Sequence, residues 1–119
     1  MKTTLVIGAS ENPDRYSNKV ILRLLTMGIP VKAIGIKEGS VNGLPILTGK
    51  PPLSDIDTVT LYLGAGKQRE YYDYILGLQP RRIIFNPGAE NEEFEKIAEA
   101  KGIEALQACS LVMISTGSF

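Results

Sequence analysis

The amino-acid sequence predicts an α/β protein whose doubly wound, mostly parallel five-stranded sheet carries helices on both faces. Two observations lead to this prediction. Short apolar runs alternate with amphipathic helical patterns along the chain, and glycine or proline separates most of them. The runs are also nearly continuous in apolar residues, which is typical of parallel strands covered on both faces. We expect the 119 residues to form one domain, residues 1–119.

A strand, a loop and a helix open the chain. Thr3–Ile7 is an apolar run that stops at Gly8, and residues 12–14 (Asn-Pro-Asp) are a turn signal. Ser17 is a favourable N-cap for a helix that runs to Met27 and has a regular apolar face. The pattern therefore predicts a strand-to-helix turn near the start of the chain.

The rest of the chain repeats this alternation. We expect a loop over 37–43, a short extended piece over 44–47, a helix N-cap at Asn91 and a tail from Cys109 to Phe119. The other predicted elements are the strands Val31–Ile36, Thr58–Leu63, Arg82–Phe85 and Ile103–Ala108, and helices at about Lys67–Leu78 and Glu92–Lys101.

Right-handed crossovers make a Rossmann-like strand order of 3-2-1-4-5 the expected arrangement, with Thr58–Leu63 beside the first strand. Such sheets bind ligands outside the carboxyl ends of their strands, at the point where the strand order reverses. The loops at that edge are expected to be residues 8–17, 37–43, 64–66 and 86–89.

The composition is that of an ordinary soluble protein. No apolar run approaches the roughly 20 residues that span a bilayer, and no cationic and then apolar segment opens the chain as a secretory signal would. The single cysteine, Cys109, excludes an internal disulfide and is typical of a reducing compartment. We therefore expect a cytoplasmic protein without a membrane segment.

Charge and residue usage exclude several classes of function. The net charge is zero, which argues against a general nucleic-acid binder. The chain has no histidine, so the usual zinc ligand sets and the Ser-His-Asp and Cys-His catalytic sites are excluded within one chain. We expect no metal site and no catalytic site, and without a histidine to activate it Cys109 is not expected to be a nucleophile.

The turn after the first strand suits a phosphate. A helix N-terminus presents free N–H groups and the positive end of its dipole, and Arg15 and Lys19 add two cations. Residues 1–50 hold seven Lys or Arg and three Asp or Glu, so this half is positive. Residues 8–13 contain only the first glycine of G-x-G-x-x-G, so the usual dinucleotide fingerprint is absent. The alternative is a plain strand-to-helix turn.

The second strand leads into Lys37, where NAD sites of this topology carry an acidic residue for the ribose hydroxyls. A lysine there would pair with a phosphorylated ribose, as in coenzyme A (3′-phosphate) or NADP (2′-phosphate). Residues 64–66 (Gly-Ala-Gly) have no bulky side chain, so a diphosphate or a pantetheine arm could lie against their backbone. Residues 86–89 (Asn-Pro-Gly-Ala), just before a helix, allow the same two explanations, a ligand wall or a simple turn. A solvated lysine and simple turn chemistry are the alternative explanations.

Three stretches carry a resemblance to a known family: VIGASENPDRYSNKV at 6–20, NGLPI at 42–46 and FNPGAENEEFEKIAEAKGIE at 85–104, together with Cys109 after the last strand. On these residues the sequence resembles the small, stand-alone CoA-binding domain proteins. Those proteins are similar to the N-terminal CoA-binding domain of the succinyl-CoA synthetase α subunit.

The resemblance implies how CoA would lie. Residues 8–10 would meet the diphosphate, Lys37 would lie near the ribose phosphate, residues 64–66 would line the pantetheine path and residues 87–88 would form the far wall. The implied binding residues are Gly8, Ala9, Ser10, Arg15, Ser17, Asn18, Lys19, Lys37, Gly64, Ala65, Gly66, Pro87 and Gly88.

We therefore expect a protein that binds coenzyme A or an acyl-CoA as a non-catalytic or accessory module. The expected partner is the small molecule CoA, with no nucleic acid and no membrane; a homo-oligomer or a partner enzyme subunit is left open. One alternative is a minimal NADP-binding oxidoreductase-like protein, against which stand the missing fingerprint and the lack of room for a substrate domain. The other is a protein-interaction subunit that has lost ligand binding.

Overall fold

A seven-stranded sheet forms the centre of the computed structural model, which describes residues 2–119; Met1, included in the expected domain, lies outside them. The strands are β1 (Thr3–Ile7), β2 (Val31–Ile34), β3 (Gly39–Val41), β4 (Leu44–Leu47), β5 (Ile56–Leu61), β6 (Arg82–Phe85) and β7 (Glu104–Gln107). They lie in the order β3-β4-β2-β1-β5-β6-β7, and all neighbours are parallel except β3 and β4. The predicted α/β, Rossmann-like class is confirmed.

Helices cover both faces of the sheet. They are α1 (Tyr16–Thr26), α2 (Ala65–Gln68), α3 (Tyr72–Leu78), α4 (Glu92–Ala100) and α5 (Ser110–Thr116), with a 3₁₀ turn at Arg69–Tyr71. Within residues 2–119, no helix is long and apolar enough to cross a membrane.

The prediction of five strands is wrong, because β3 lies where we expected a loop over 37–43 and the short extended piece expected over 44–47 is the strand β4, so that the two form a β-hairpin. Asn42 (φ 48°) and Gly43 (φ 84°) form a two-residue left-handed turn, the kind whose twist matches two antiparallel strands. Val41 and Leu44 pair directly across this turn. The second strand of the hairpin, β4, then pairs in parallel with β2 and extends the sheet.

The first helix begins earlier than predicted. Its N-cap residue is Arg15 and not Ser17, since the N–H groups of Asn18 and Lys19 both donate to the Arg15 carbonyl, at 3.1 and 3.2 Å. Ser17 is buried inside the first turn. The side chain of Arg15 does not cap the helix, which leaves the first N–H groups of α1 open.

Two other helix predictions also need correction. The single helix expected over 67–78 is divided into α2, the 3₁₀ turn and α3, and the expected tail contains α5. The N-cap at Asn91 is confirmed, since its Oδ1 accepts a hydrogen bond from the N–H of Phe94 at 3.1 Å.

The sheet separates two apolar cores because successive side chains of a strand point to opposite faces. Leu5 and Ile7 lie in the core that α3 and α4 cover, where Phe94 is fully buried. Val6 lies in the other core with Ile21 of α1, and this core is closed by α1 and α5. Burial on both faces is the reason that the strands are so continuously apolar.

An ion-pair network holds the amino ends of β5 and β6 together. Asp57 accepts hydrogen bonds from Arg81 Nε and Nη2, at 3.1 and 3.2 Å, and from Thr58 Oγ1 at 2.9 Å. Burial acts to raise the pKa of Asp57, but these hydrogen bonds and the charges of Arg81 and Lys2 hold the pKa below the ordinary value of 3.8. The carboxylate therefore stabilises the folded state in its ionised form.

Asp57→Asn is expected to lower the free energy of unfolding at pH 7 by about 1 kcal/mol. A depressed folded-state pKa gives stability that is fully present above the unfolded pKa and is lost as pH falls through the folded one. The difference between Asp57→Asn and the parent should therefore shrink below about pH 4. Urea unfolding at pH 7 and pH 3 measures this difference in stability, and Glu99→Gln, at an exposed residue, is the control. An equal difference at both pH values would contradict the role given to Asp57.

Candidate functional site

A cleft of about 1070 Å³ opens at the carboxyl edge of the sheet, where the strand order reverses between β1 and β5. Segments that follow β1, β2, β5 and β6 meet there, as the topology predicted. Its lining residues are Gly8, Ala9, Ser10, Glu11, Asn12, Asp14, Arg15, Tyr16, Ser17, Ile36, Lys37, Glu38, Tyr62, Leu63, Gly64, Gly66, Lys67, Pro87, Gly88 and Ala89.

Short-range hydrogen bonds shape the loop between β1 and α1. Ser10 Oγ accepts from the N–H of Asn12 at 3.1 Å, and Asn12 Oδ1 accepts from the N–H of Asp14 at 2.9 Å. Asn18 is buried under the loop, and its Nδ2 donates to the Ser10 carbonyl at 2.9 Å. The loop thus has a defined course around the cleft, set by side chains that favour turns.

Gly8 is needed where β1 meets this loop. Its φ is +97°, and a Cβ at this position would lie 3.0 Å from the carbonyl carbon and oxygen of Tyr62. The N–H groups of Gly8 and Ala9 both donate to the Ile34 carbonyl, each at 2.9 Å. These two residues were expected to meet the diphosphate, but their backbone donors are used within the sheet.

Free backbone donors lie instead at the start of α1. The N–H groups of Tyr16 and Ser17 have no acceptor among residues 2–119, since no side chain caps the helix. Both residues line the cleft. The eleven-residue α1 thus directs two unpaired donors and the positive end of its dipole at this part of the cleft.

Three cations line the cleft: Arg15, Lys37 and Lys67. None of them forms an ion pair or side-chain hydrogen bond with another residue of the described chain. They belong to three different walls, following β1, β2 and β5, and so surround the opening. Unpaired cations in this arrangement suit a ligand with more than one phosphate.

Three carboxylates also line the cleft, so the site is not uniformly positive. The Glu11 carboxylate already has a partner, because its Oε2 accepts a hydrogen bond from the N–H of Ser40 at 3.0 Å. This bond connects the loop to β3. Asp14 and Glu38 each neighbour a cleft cation in sequence. The mixed signs favour an anion placed by particular cations over indiscriminate binding of negative charge.

The structure brings ten of the thirteen predicted binding residues together around the cleft. Asn18 reaches it only through the backbone of Ser10. Lys19 Nζ donates to the Pro13 carbonyl at 3.0 Å, and Ala65 is the first residue of α2 and not a lining residue. The ten are Gly8, Ala9, Ser10, Arg15, Ser17, Lys37, Gly64, Gly66, Pro87 and Gly88.

Sequence reasoning missed several lining residues. Lys67 follows Gly64-Ala65-Gly66 directly and was a signal that we did not use. The side chain of Ile36 and the ring of Tyr16 are large apolar groups, yet these residues are 82% and 67% exposed at the cleft. These two surfaces suit a flat apolar group such as a nucleobase.

Tyr62 is the cleft residue with the largest change in acidity. Burial raises the pKa of its hydroxyl to about 12, partly offset by the nearby Ser110 and Thr60 hydroxyls. A tyrosine hydroxyl is already neutral at physiological pH, and the raised pKa moves its ionisation further away. Within residues 2–119, no three Cys, Asp or Glu side chains are grouped so as to hold a metal ion.

A protein-family model described as a CoA binding domain matches residues 2–115 of this chain. No curated protein matches it. Among solved structures, the crystal structure of an uncharacterized protein has 44% sequence identity and a TM-score of 0.96, and the match covers 100% of this chain and 98% of that one.

More distant structures share the fold alone. A protein from Thermus thermophilus, cell-free ID.343, has 21% identity and a TM-score of 0.85, covering 99% of this chain and 90% of its own. The dinucleotide-forming acetyl-coenzyme A synthetase 1 of Ca. Korarchaeum cryptofilum, in complex with phosphate and ADP, has 19% identity and a TM-score of 0.72. That match covers 90% of this chain and 25% of the synthetase.

Proposed function

This chain belongs to the CoA-binding domain family, and on that premise we propose that it binds coenzyme A or an acyl-CoA in the cleft at the carboxyl edge of its sheet. It acts as a non-catalytic or accessory module that holds the nucleotide. The observation that carries the proposal is the set of unpaired donors around the cleft: two N–H groups of α1 and three cations.

The ligand's own charges match this set. CoA carries a diphosphate and a separate 3′-phosphate, joined to a long, uncharged pantetheine arm. The free N–H groups of Tyr16 and Ser17, with Arg15, offer the diphosphate a helix N-terminus. Lys37 follows β2 on the neighbouring wall and offers the 3′-phosphate a charge-assisted hydrogen bond.

The uncharged parts of CoA also find matching surfaces in the cleft. Ile36 and Tyr16, which lie beside Lys37 and Arg15, supply the exposed apolar surface for adenine. The pantetheine arm lies between Gly64 and Gly66 on one side and residues 87–88 on the other, where small side chains leave the backbone accessible. A volume of about 1070 Å³ is at the upper end of the range for small-molecule sites, which agrees with a ligand of this length.

Binding without catalysis is supported by the chemistry of the lining residues. The sequence has no histidine, and Cys109 is not a lining residue of the cleft. Tyr62 is not a general base at neutral pH, since a tyrosine hydroxyl is protonated there and burial raises its pKa further, to about 12. An accessory role, in which another protein uses the held CoA, is consistent with these features.

Isothermal titration calorimetry of the purified protein tests the proposal, with NADPH as the second ligand because its 2′-phosphate would also suit Lys37. We expect CoA to bind at least about tenfold more tightly than NADPH, because CoA places a slender pantetheine arm between the second pair of walls, whereas NADPH would place a bulkier nicotinamide riboside there. Native mass spectrometry of freshly purified protein should also reveal a CoA-sized adduct. Tighter binding of NADPH, or no binding of either, would overturn the proposal.

A further inference from the structure

Gln68 has no role in the proposed function. It is the last residue of α2 and is fully buried, although glutamine is usually exposed. Its Nε2 donates to the Leu63 carbonyl at 2.8 Å and to the Ala89 carbonyl at 2.7 Å. Leu63 follows β5 and Ala89 precedes α4, so one side-chain amide bridges the two loops.

The other end of the amide is fixed too. Gln68 Oε1 accepts a hydrogen bond from Asn91 Nδ2 at 3.0 Å. Asn91 Nδ2 also lies 2.8 Å from the Tyr72 hydroxyl, and Asn91 Oδ1 caps α4 through the N–H of Phe94. Because these partners are themselves held in place, the side-chain amide of Gln68 has one defined orientation. Its two N–H bonds point at the Leu63 and Ala89 carbonyls.

Both bridged carbonyls belong to walls of the cleft. Leu63 and Ala89 line it, in the same loops as Gly64 and Gly88. Gly64, Gly66 and Gly88 leave part of the backbone of these loops uncovered, so the separation of the two backbones decides the width of the space between them there. The bridge through Gln68 sets that separation with two hydrogen bonds to main-chain atoms.

We propose that Gln68 is a positioning residue that holds these two loops at the spacing that the pantetheine arm of CoA requires. The inference rests on the proposed function, since it assigns that arm to these walls. Gln68 does not touch the ligand; it acts through the Leu63 and Ala89 carbonyls. It therefore affects ligands with a pantetheine arm and not those that end at the 5′-phosphate.

Gln68→Met tests this, because methionine has a similar length and offers no donor to the two carbonyls. CoA affinity is expected to fall about tenfold in calorimetry. Affinity for adenosine 3′,5′-bisphosphate, which has no pantetheine arm, should change less than about twofold. Ile75→Val is the matched control: it removes one methyl group from the core under α3 and leaves both loops intact.

The possible results separate this inference from the proposed function. If the parent binds CoA and Gln68→Met binds it equally well, or if both ligands weaken by the same factor, the positioning role is overturned and the proposed function stands. If the parent binds no CoA, both are overturned.

A measurement on the parent protein decides the matter should Gln68→Met not fold. In ¹⁵N-labelled protein, the Gln68 side-chain amide resonances should shift on addition of CoA and stay in place with adenosine 3′,5′-bisphosphate. An amide that ignores CoA while the protein binds it would overturn the inference.

Discussion

Replacing Gly8 by alanine is expected to lower the free energy of unfolding by about 2–3 kcal/mol. The φ of +97° is a conformation that residues with a Cβ rarely adopt, and the added carbon would lie 3.0 Å from the Tyr62 carbonyl group. The backbone cannot move away easily. The N–H of Gly8 donates to the Ile34 carbonyl, and the N–H of Tyr62 donates to the Ile7 carbonyl, each at 2.9 Å.

Two glycine variants separate the causes of this loss. Gly64 has a φ of −64°, and a Cβ added there has no atom within 4 Å. We therefore expect Gly64→Ala to change the free energy of unfolding by no more than about 0.5 kcal/mol. Gly43 has a φ of +84° and equally open space around the added carbon. Gly43→Ala therefore reports backbone strain alone, and we expect it to lower the free energy of unfolding by about 1 kcal/mol. Urea unfolding measures all three. A loss at Gly8 no larger than at Gly43 would contradict the close approach of β1 and the Tyr62 backbone.

Lys37→Ala is expected to abolish most of the preference of the protein for CoA over 3′-dephospho-CoA. A charge-assisted phosphate contact contributes about 1.5–3 kcal/mol, so the parent should prefer CoA by roughly 10- to 100-fold. Lys37 is exposed at the cleft and has no ion-pair partner within residues 2–119, so its ammonium group is available to the 3′-phosphate. The loss should fall on CoA, with dephospho-CoA binding nearly unchanged.

Calorimetry with both ligands and both proteins gives this double difference directly. Lys32→Ala is the matched control, since Lys32 is an exposed lysine on β2 that does not line the cleft. It changes the net charge equally and should leave the preference intact. Equal affinity of the parent for the two ligands would remove the role assigned to Lys37, whereas a loss of preference in Lys32→Ala would indicate a general charge effect.

Local patterns were sufficient to predict most of the fold. The apolar run Thr3–Ile7 and the Asn91 N-cap depend on neighbours in sequence, and both were predicted correctly. The strand β3, and with it the hairpin to β4, was missed although Asn42-Gly43 is a hairpin signal, because three residues are too few to show a strand period. The start of α1 was misplaced since Arg15 caps it through backbone geometry, without a capping side chain.

The site was predictable at the level of loops and less so at the level of atoms. Topology alone placed the segments after β1, β2, β5 and β6 at one edge. Sequence could not show that the N–H groups of Gly8 and Ala9 are bonded to Ile34, because that contact joins distant parts of the chain. Gln68 gave no signal for the same reason, since its partner Ala89 is 21 residues away.

The two outer strands also determine how copies of this protein can meet. β3 at one border has three residues and β7 at the other has four, which include the exposed Glu104 and Gln107. Strands this short and polar offer few open main-chain groups to a neighbouring sheet, a feature that protects proteins against edge-to-edge aggregation. Addition of a strand from another copy at either border of the sheet is therefore disfavoured.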